Sequence, residues 1–368
     1  MVTSPDRAVM RWLFAFSGVV AILIMFGGFV RLTRSGLSIV EWEPVTGVVP
    51  PVGDAAWRDA FAEYQQSPEF RQVNHAMSMD EFKRIFLIEW IHRLVARLAG
   101  FAYAIPLALF VWRRRIPIRE IGIYVAMGSL FLLQALAGWL MVASGLEDRP
   151  SVDHLNLTVH LLLAFTLLAL ALWTALGHRA GASGPRRGSR WSPSAAMTSM
   201  FLAALVLQIA YGGLTAGLKA GYISDTWPKM GGSILPANLF RSFGDAIDSP
   251  LTVMFIHRWF AFVVATIAIG TTTIVLRNRR DRESRTLAVA LVGGIGLQIV
   301  LGITTVLTSV AEPVALAHQA TAIGIFAVAV SLLHRIRSMD ASTRRSVPLS
   351  GNGPINAETE PLPVLLHR

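Results

Sequence analysis

Apolar residues run through this chain in long unbroken blocks, and the polar positions that separate them recur at intervals too wide for a soluble core. Blocks of about 20 residues, the length a helix needs to cross roughly 30 Å of hydrocarbon, fall at residues 12–30, 85–112, 121–143, 152–176 and 195–216, then at 251–276, 287–310 and 314–333. The pattern predicts eight membrane-spanning helices. Between the first two blocks, residues 33–84 are amphipathic, and WRDAFAEYQ from Trp57 reads as a helix lying at the membrane interface. That segment is either a cap over a site or a packing layer without chemistry.

Composition agrees with this picture, since 53% of the 368 residues are hydrophobic and only 15% are charged. The fold class is therefore an all-α integral membrane protein. The N-terminal segment, the segments 113–119, 179–190 and 277–285, and the tail from Arg335 hold 20 of the 33 Lys and Arg residues. Basic residues accumulate on the cytoplasmic side, so both termini are expected there. The net charge of +10 is this topology signal, and nothing else favours nucleic acid as a partner. The opening MVTSPDRAVM is too short and too weakly basic for a transit peptide, which points to a bacterial inner (plasma) membrane. The absence of cysteine excludes disulfides, thiolate haem ligation and Cys-held iron–sulfur clusters. The tail from Ser338, rich in Ser, Pro, Gly and charge, reads as disordered.

The two halves resemble each other. HRLVARLAG at His92 answers HRWFAFVVA at His257, QALAGWL at Gln134 answers QIVLGIT at Gln298, and His160 answers His318, at offsets of 165, 164 and 158 residues. GGFVRLTRSGLS from Gly27 likewise answers GGLTAGLKAGYIS from Gly212. With four spans per unit both copies enter from the same side, so the expected architecture is two parallel four-helix-bundle repeats. The corresponding division is 1–178, a linker at 179–193, 194–337 and the tail 338–368. Gly27, Gly28, Gly212 and Gly213 read as close-packing positions at helix ends.

The second span carries Glu89, His92, Arg93 and Arg97, although a charge at the bilayer centre costs at least about 2.5 kcal/mol. At 1.5 Å per residue, His92, His160, His257 and His318 all lie about 6–12 Å into their spans from the same side. One imidazole pair per half fits axial ligation of an iron porphyrin inside a helical bundle, hence two haem sites. Structural zinc is the weaker reading because it usually takes four ligands with Cys. His75, His154, His178, His334 and His367 read as surface or interface residues. Glu89 lies one turn before His92, and Met254 occupies that place in the second half. One site therefore has a carboxylate for chemistry and the other lacks it, unless Glu89 serves only to neutralise Arg93 one turn on. Arg93, Arg97 and Arg258 are candidate partners for haem propionates.

RLTRSGLSIVEWEPVTGVVPP from Arg31, EFKRIFLIEWIHRLVAR from Glu81, His160, HRWFAF from His257 and LAHQATA from Leu316 together resemble haem A synthase, in its cysteine-free mitochondrial and alphaproteobacterial branch. The resemblance implies an oxidoreductase that converts the C8 methyl of haem O to the formyl of haem A for cytochrome c oxidase assembly, with water as oxygen source. It implies substrate haem between His92 and His160, a haem b cofactor on His257 and His318, and Glu89 as the catalytic carboxylate. Handover from haem O synthase, contact with cytochrome oxidase assembly factors, an electron acceptor of unspecified kind, surrounding membrane lipid and a homo-oligomeric state are the accompanying partner expectations. A di-haem b electron-transfer subunit and a two-repeat transporter are the competing readings.

Overall fold

The computed structural model describes residues 5–41, 46–147, 150–181 and 191–342. Its helices are α1 (Arg7–Leu32), α2 (Gly53–Tyr64), α3 (Pro68–Gln72), α4 (Met79–Trp112), α5 (Ile121–Ala143), α6 (His154–Ala180), α7 (Pro193–Gly217), α8 (Asp245–Asp248), α9 (Pro250–Asn278), α10 (Arg282–Leu307) and α11 (Glu312–Ser342). Among the described residues, α1, α4, α5, α6, α7, α9, α10 and α11 are long and apolar enough to cross a membrane. These are the eight predicted spans.

Local chemistry sets where the helices begin. The side chains of Asp6, Asp153, Ser192, Ser249 and Asp281 accept hydrogen bonds from first-turn amides of α1, α6, α7, α9 and α10. Ser78 and Glu81 form a reciprocal capping box, which starts α4 at Met79 rather than at the apolar boundary near residue 85. At the other end, α10 stops at Leu307, short of the expected 310, because Ser309 and Val310 turn into the left-handed region.

Packing follows sequence order within each half. The first set is α1 against α4 and α6, with α5 on α6; the second is α7 against α9 and α11, with α10 between them. The sets meet through α6 against α7 and α11 and through α1 against α11. On α1 the stripe Val9, Leu13, Phe16, Val20 and Ile24, spaced by three or four residues, is buried in this shared core with Phe165 and Leu168 of α6 and Phe326 of α11. The outward faces stay apolar: Leu132 on α5 is 72% exposed, with Val125, Leu136 and Leu140 exposed beside it. A patch of this kind belongs in lipid rather than water.

Two sequence expectations need correction. Residues 338–342 are helical, not disordered: Ser338 donates to the His334 carbonyl, and Asp340 pairs with Arg279 and accepts from the Ser192 hydroxyl. The polar composition there is thus consumed by local partners, while 343–368 lie outside the described residues. His178 and His334 are interior rather than surface residues, at 3% and 4% exposure. The Tyr124 hydroxyl meets His178 Nε2 at 2.6 Å, and the His334 ring stands edge-on to Trp173 at 4.9 Å. His75 is exposed as expected, and His154 meets Asp248 at 3.0 Å in a contact between the two sets of helices. His367 lies outside the described residues, as do residues 182–190 of the expected linker.

Candidate functional site

All four predicted histidines sit toward one end of the bundle, the end that also bears residues 33–41, 46–78 and 218–249; we call it the loop end. In the second half the rings of His257 on α9 and His318 on α11 face each other with centroids 6.5 Å apart and planes at 74°. Two imidazoles that share one metal ion through nitrogens about 2 Å from it place their centroids roughly 6 Å apart, so this pair is spaced as axial ligands are. In the first half His160 of α6 lies within electrostatic reach of His92 on α4, whose ring stands edge-on to Phe26 at 5.6 Å. Among the described residues no three His, Asp or Glu side chains converge as a zinc cage requires. The donor set is paired imidazole, which suits a porphyrin iron.

The neighbours of the four rings correspond between the halves. The amide of Gln134 meets Nε2 of His160 at 3.0 Å, and that of Gln298 meets Nε2 of His318 at 3.1 Å. In both rings Nδ1 is buried without a hydrogen-bond partner, the state of an imidazole nitrogen left for another ligand. Each of the four rings also lies against a glycine. A Cβ built on Gly138 would come 3.0 Å from His160 and one on Gly302 would come 3.0 Å from His318; for Gly27 against His92 and Gly212 against His257 the distances are 3.5 and 3.4 Å. At Gly27 and Gly212 a Cβ would stand at ordinary contact distance, so the packing role expected of these two is sufficient. Gly138 and Gly302 escaped sequence reasoning, although Gln-x-x-x-Gly recurs in both copies and places amide and gap on one helix face.

Glu89 is 3% exposed, yet it is surrounded by donors. Its Oε2 accepts from the Ser38 amide at 2.9 Å, the Ser38 hydroxyl at 2.7 Å and the Ile39 amide at 3.0 Å. Its Oε1 accepts from Arg93 Nε at 3.1 Å and Nη2 at 2.7 Å. The salt-bridge reading of Glu89 is thus met in geometry, and the segment after α1 supplies the rest. The three candidate propionate partners also meet protein carbonyls. Arg93 also donates to the Ile39 carbonyl, Arg97 to the Gly47 carbonyl, and Arg258 to the Thr226 and Ser224 carbonyls. Each guanidinium ties a loop-end segment to its helix.

The long segment packs on α4, and its first residues reach Glu89. Tyr64, Phe82, Ile85 and Phe86 form a separate buried cluster with Trp57, Phe61 and Phe70 around it, holding α2 and α3 on the N-terminal end of α4. Ser38 and Ile39 of the same segment reach Glu89. Trp42 and Pro44, part of the motif that carried the resemblance, lie outside the described residues.

Residues 10–330 match the sequence family described as cytochrome oxidase assembly protein. The chain belongs to that family. Among curated relatives, the Heme A synthase of Sphingopyxis alaskensis is 39% identical over 345 residues, covering 92% of this chain and 95% of the relative. That of Caulobacter vibrioides is 40% identical over 338 residues, covering 90% and 97%. That of Bradyrhizobium diazoefficiens is 39% identical over 363 residues, covering 95% and 98%. Similarity of this extent embraces both sets of helices and the segments between them, so the family's architecture is carried by the whole chain.

Proposed function

We propose that this chain is an enzyme of haem A synthesis, oxidising the C8 methyl of haem O to a formyl group in the half built from α1, α4, α5 and α6. The observation that carries the reading is an asymmetry between two otherwise matched histidine pairs. Glu89, with its fixed set of donors, lies one turn from His92, whereas the matching position beside His257 is Met254, buried in an apolar cluster. One half is equipped for chemistry and the other for holding a group. His92 and His160 would flank the substrate, and His257 and His318 would hold a resident haem b, which when bound supplies one-electron redox chemistry. The curated relatives named Heme A synthase favour this over a di-haem b electron-transfer subunit.

Converting a methyl to a formyl removes four electrons and four protons and adds the oxygen of one water, so the reaction makes this chain an oxidoreductase whose electrons pass to an acceptor outside it. Glu89 supports the step electrostatically: its five donors keep it oriented, and its charge opposes positive charge developing on the methyl carbon as electrons depart. Arg93 and the Ser38 and Ile39 amides fix the carboxylate against rotation, which is the preorganisation such stabilisation needs. Both termini are cytoplasmic and the loop end faces away from the cytoplasm in the inner membrane, as the distribution of Lys and Arg supports.

The test is mass spectrometry of haems extracted from the protein purified after coexpression with a haem O-producing enzyme, in a host lacking haem A. Haem B together with haem A or its hydroxylated precursor is expected. Haem B alone would favour electron transfer, and no haem would overturn both.

A further inference from the structure

Two adjacent glycines near the end of α1 face different halves of the molecule. Gly27 lies against the ligand of its own half, with His92 Nε2 3.5 Å from where a Cβ would stand. Gly28 lies against the other half: a Cβ there would stand 2.6 Å from Cδ and 2.7 Å from Nε2 of Gln319, the residue that follows His318 on α11. Only a glycine at 28 lets that amide come so close to the α1 backbone. The pair recurs on α7, where Gly212 lies against His257 and a Cβ on Gly213 would stand 3.0 Å from Oγ1 of Thr158, two residues before His160 on α6. Each double glycine thus sits between a histidine of its own half and the helix that carries a histidine of the other.

The two crossings differ in what they carry. Gln319 Nε2 donates to the Ile24 carbonyl at 2.6 Å, and the carbonyl of the preceding residue, Leu23, accepts a hydrogen bond from the His92 ring. Two consecutive carbonyls in one turn of α1 are therefore taken, one by each half. Helix geometry already gives the Ile24 carbonyl the Gly28 amide as donor, so Gln319 uses its second lone pair and α1 does not need this bond to be a helix. At the other crossing the Thr158 hydroxyl donates within its own helix, to the His154 carbonyl at 2.8 Å. The residue after His160, at the place of Gln319, is Leu161, which has no side-chain donor. An axial histidine is oriented by the carbonyl that its far nitrogen meets. For His92 that carbonyl belongs to the turn of α1 that Gln319 holds from the opposite side. Resting on the two-site reading above, we propose that Gln319 is a positioning residue for His92, by which the second half sets ligand geometry in the half that carries Glu89. The influence runs in that direction only, because the crossing at Gly213 carries no such bond.

The test removes the bond from each side of the seam. Gln319→Met keeps the volume and loses the donor, and Gly28→Ala leaves Gln319 intact but puts a methyl where its amide lies. Wild type and both variants are purified from cells making haem O, their low-spin ferric haem signals are recorded by electron paramagnetic resonance, and haem O, haem A and haem B are then extracted and counted per chain. The first-half signal is the one that His160→Ala removes, and the second-half signal is the one that His318→Ala removes. Both variants are expected to shift the first-half signal and to lower haem O plus haem A per chain by about tenfold, with the second-half signal and haem B unchanged. A wild-type first-half signal in Gln319→Met would overturn the proposal and leave Gln319 a packing residue. A change in the second-half signal, with or without one in the first, would also overturn it, since Gln319 would then act on its neighbour His318. A wild-type protein with fewer than two low-spin signals would overturn the two-site reading itself, a result read without either variant.

Discussion

At the residue scale, Glu89 shows how a carboxyl group is surrounded by donors at a depth where charge is costly. Hydrogen bonds to a charged group contribute about 1.5–3 kcal/mol each, and Glu89 accepts five, from Ser38, Ile39 and Arg93. Removing the carboxylate altogether would strand Arg93 and cost roughly 3–5 kcal/mol, so Glu89→Gln is the informative change because it keeps the shape. It should leave haem O and haem B bound while haem A formation falls by about 10²-fold or more, read by chromatography of extracted haems. Wild-type yield would remove Glu89 from the chemistry. The glutamines beside the histidines make a second residue-scale claim. Gln298 engages one nitrogen of His318 and fixes the ring against Gly302. Such outer partners are worth about 10- to 100-fold in affinity, so Gln298→Leu should weaken haem b binding by that factor and shift its midpoint potential. An unchanged potential and full occupancy would make Gln298 a packing residue only.

At the scale of elements, α4 carries more charge than a membrane helix tolerates, and the reason was only half legible in the sequence. The Glu-x-x-His-Arg spacing and the Glu89–Arg93 pair at one turn are readable from helix periodicity alone. The Ser38 and Ile39 donors are not, because they arrive from a segment some 50 residues away whose path depends on packing: Tyr64 against Phe70 and Phe82, and Arg97 against the Gly47 carbonyl. The apolar blocks placed α5 at Ile121–Ala143, while polar helix ends such as Met79–Arg84 and 338–342 were hidden from any reading based on hydrophobicity. The cap itself contains a titrating group outside the spans. Glu69 of α3 is 4% exposed, and burial raises its carboxyl to about 7; the Tyr64 hydroxyl, held by Asn74, donates to it, with Glu89, Lys219 and Arg34 as the facing charges. Its value in the unfolded chain is about 4.3, so the folded cap binds the proton more tightly. The stabilisation is complete below about pH 4.3 and is lost as pH rises toward 7. Amide exchange in α2 and α3, corrected for intrinsic rates, should therefore be faster at pH 8 than at pH 5.5, and Glu69→Gln should abolish the difference.

At the scale of the molecule, two helix sets share one core and differ in what they were fitted to hold. The links across the middle are polar as well as apolar: Gln319 on α11 donates to the Ile24 carbonyl at 2.6 Å, and Arg31 at the end of α1 donates to the Ala216 carbonyl at the end of α7. Backbone geometry repeats as the sequence does, since Arg34 after α1 and Lys219 after α7 both turn through positive φ, at 52° and 54°. Each histidine pair, however, is built within one set of helices, and no candidate ligand is shared between them. Occupancy of one site should then be separable from occupancy of the other. His318→Ala should deplete haem B from the purified protein while haem O remains in the first half, and haem A should disappear because a residue that would hold the one-electron redox group is gone. His160→Ala should do the reverse, keeping haem B and losing haem O. If either substitution empties both sites while circular dichroism shows the helices intact, the two pairs form one cooperative centre and the division of labour between the halves is wrong.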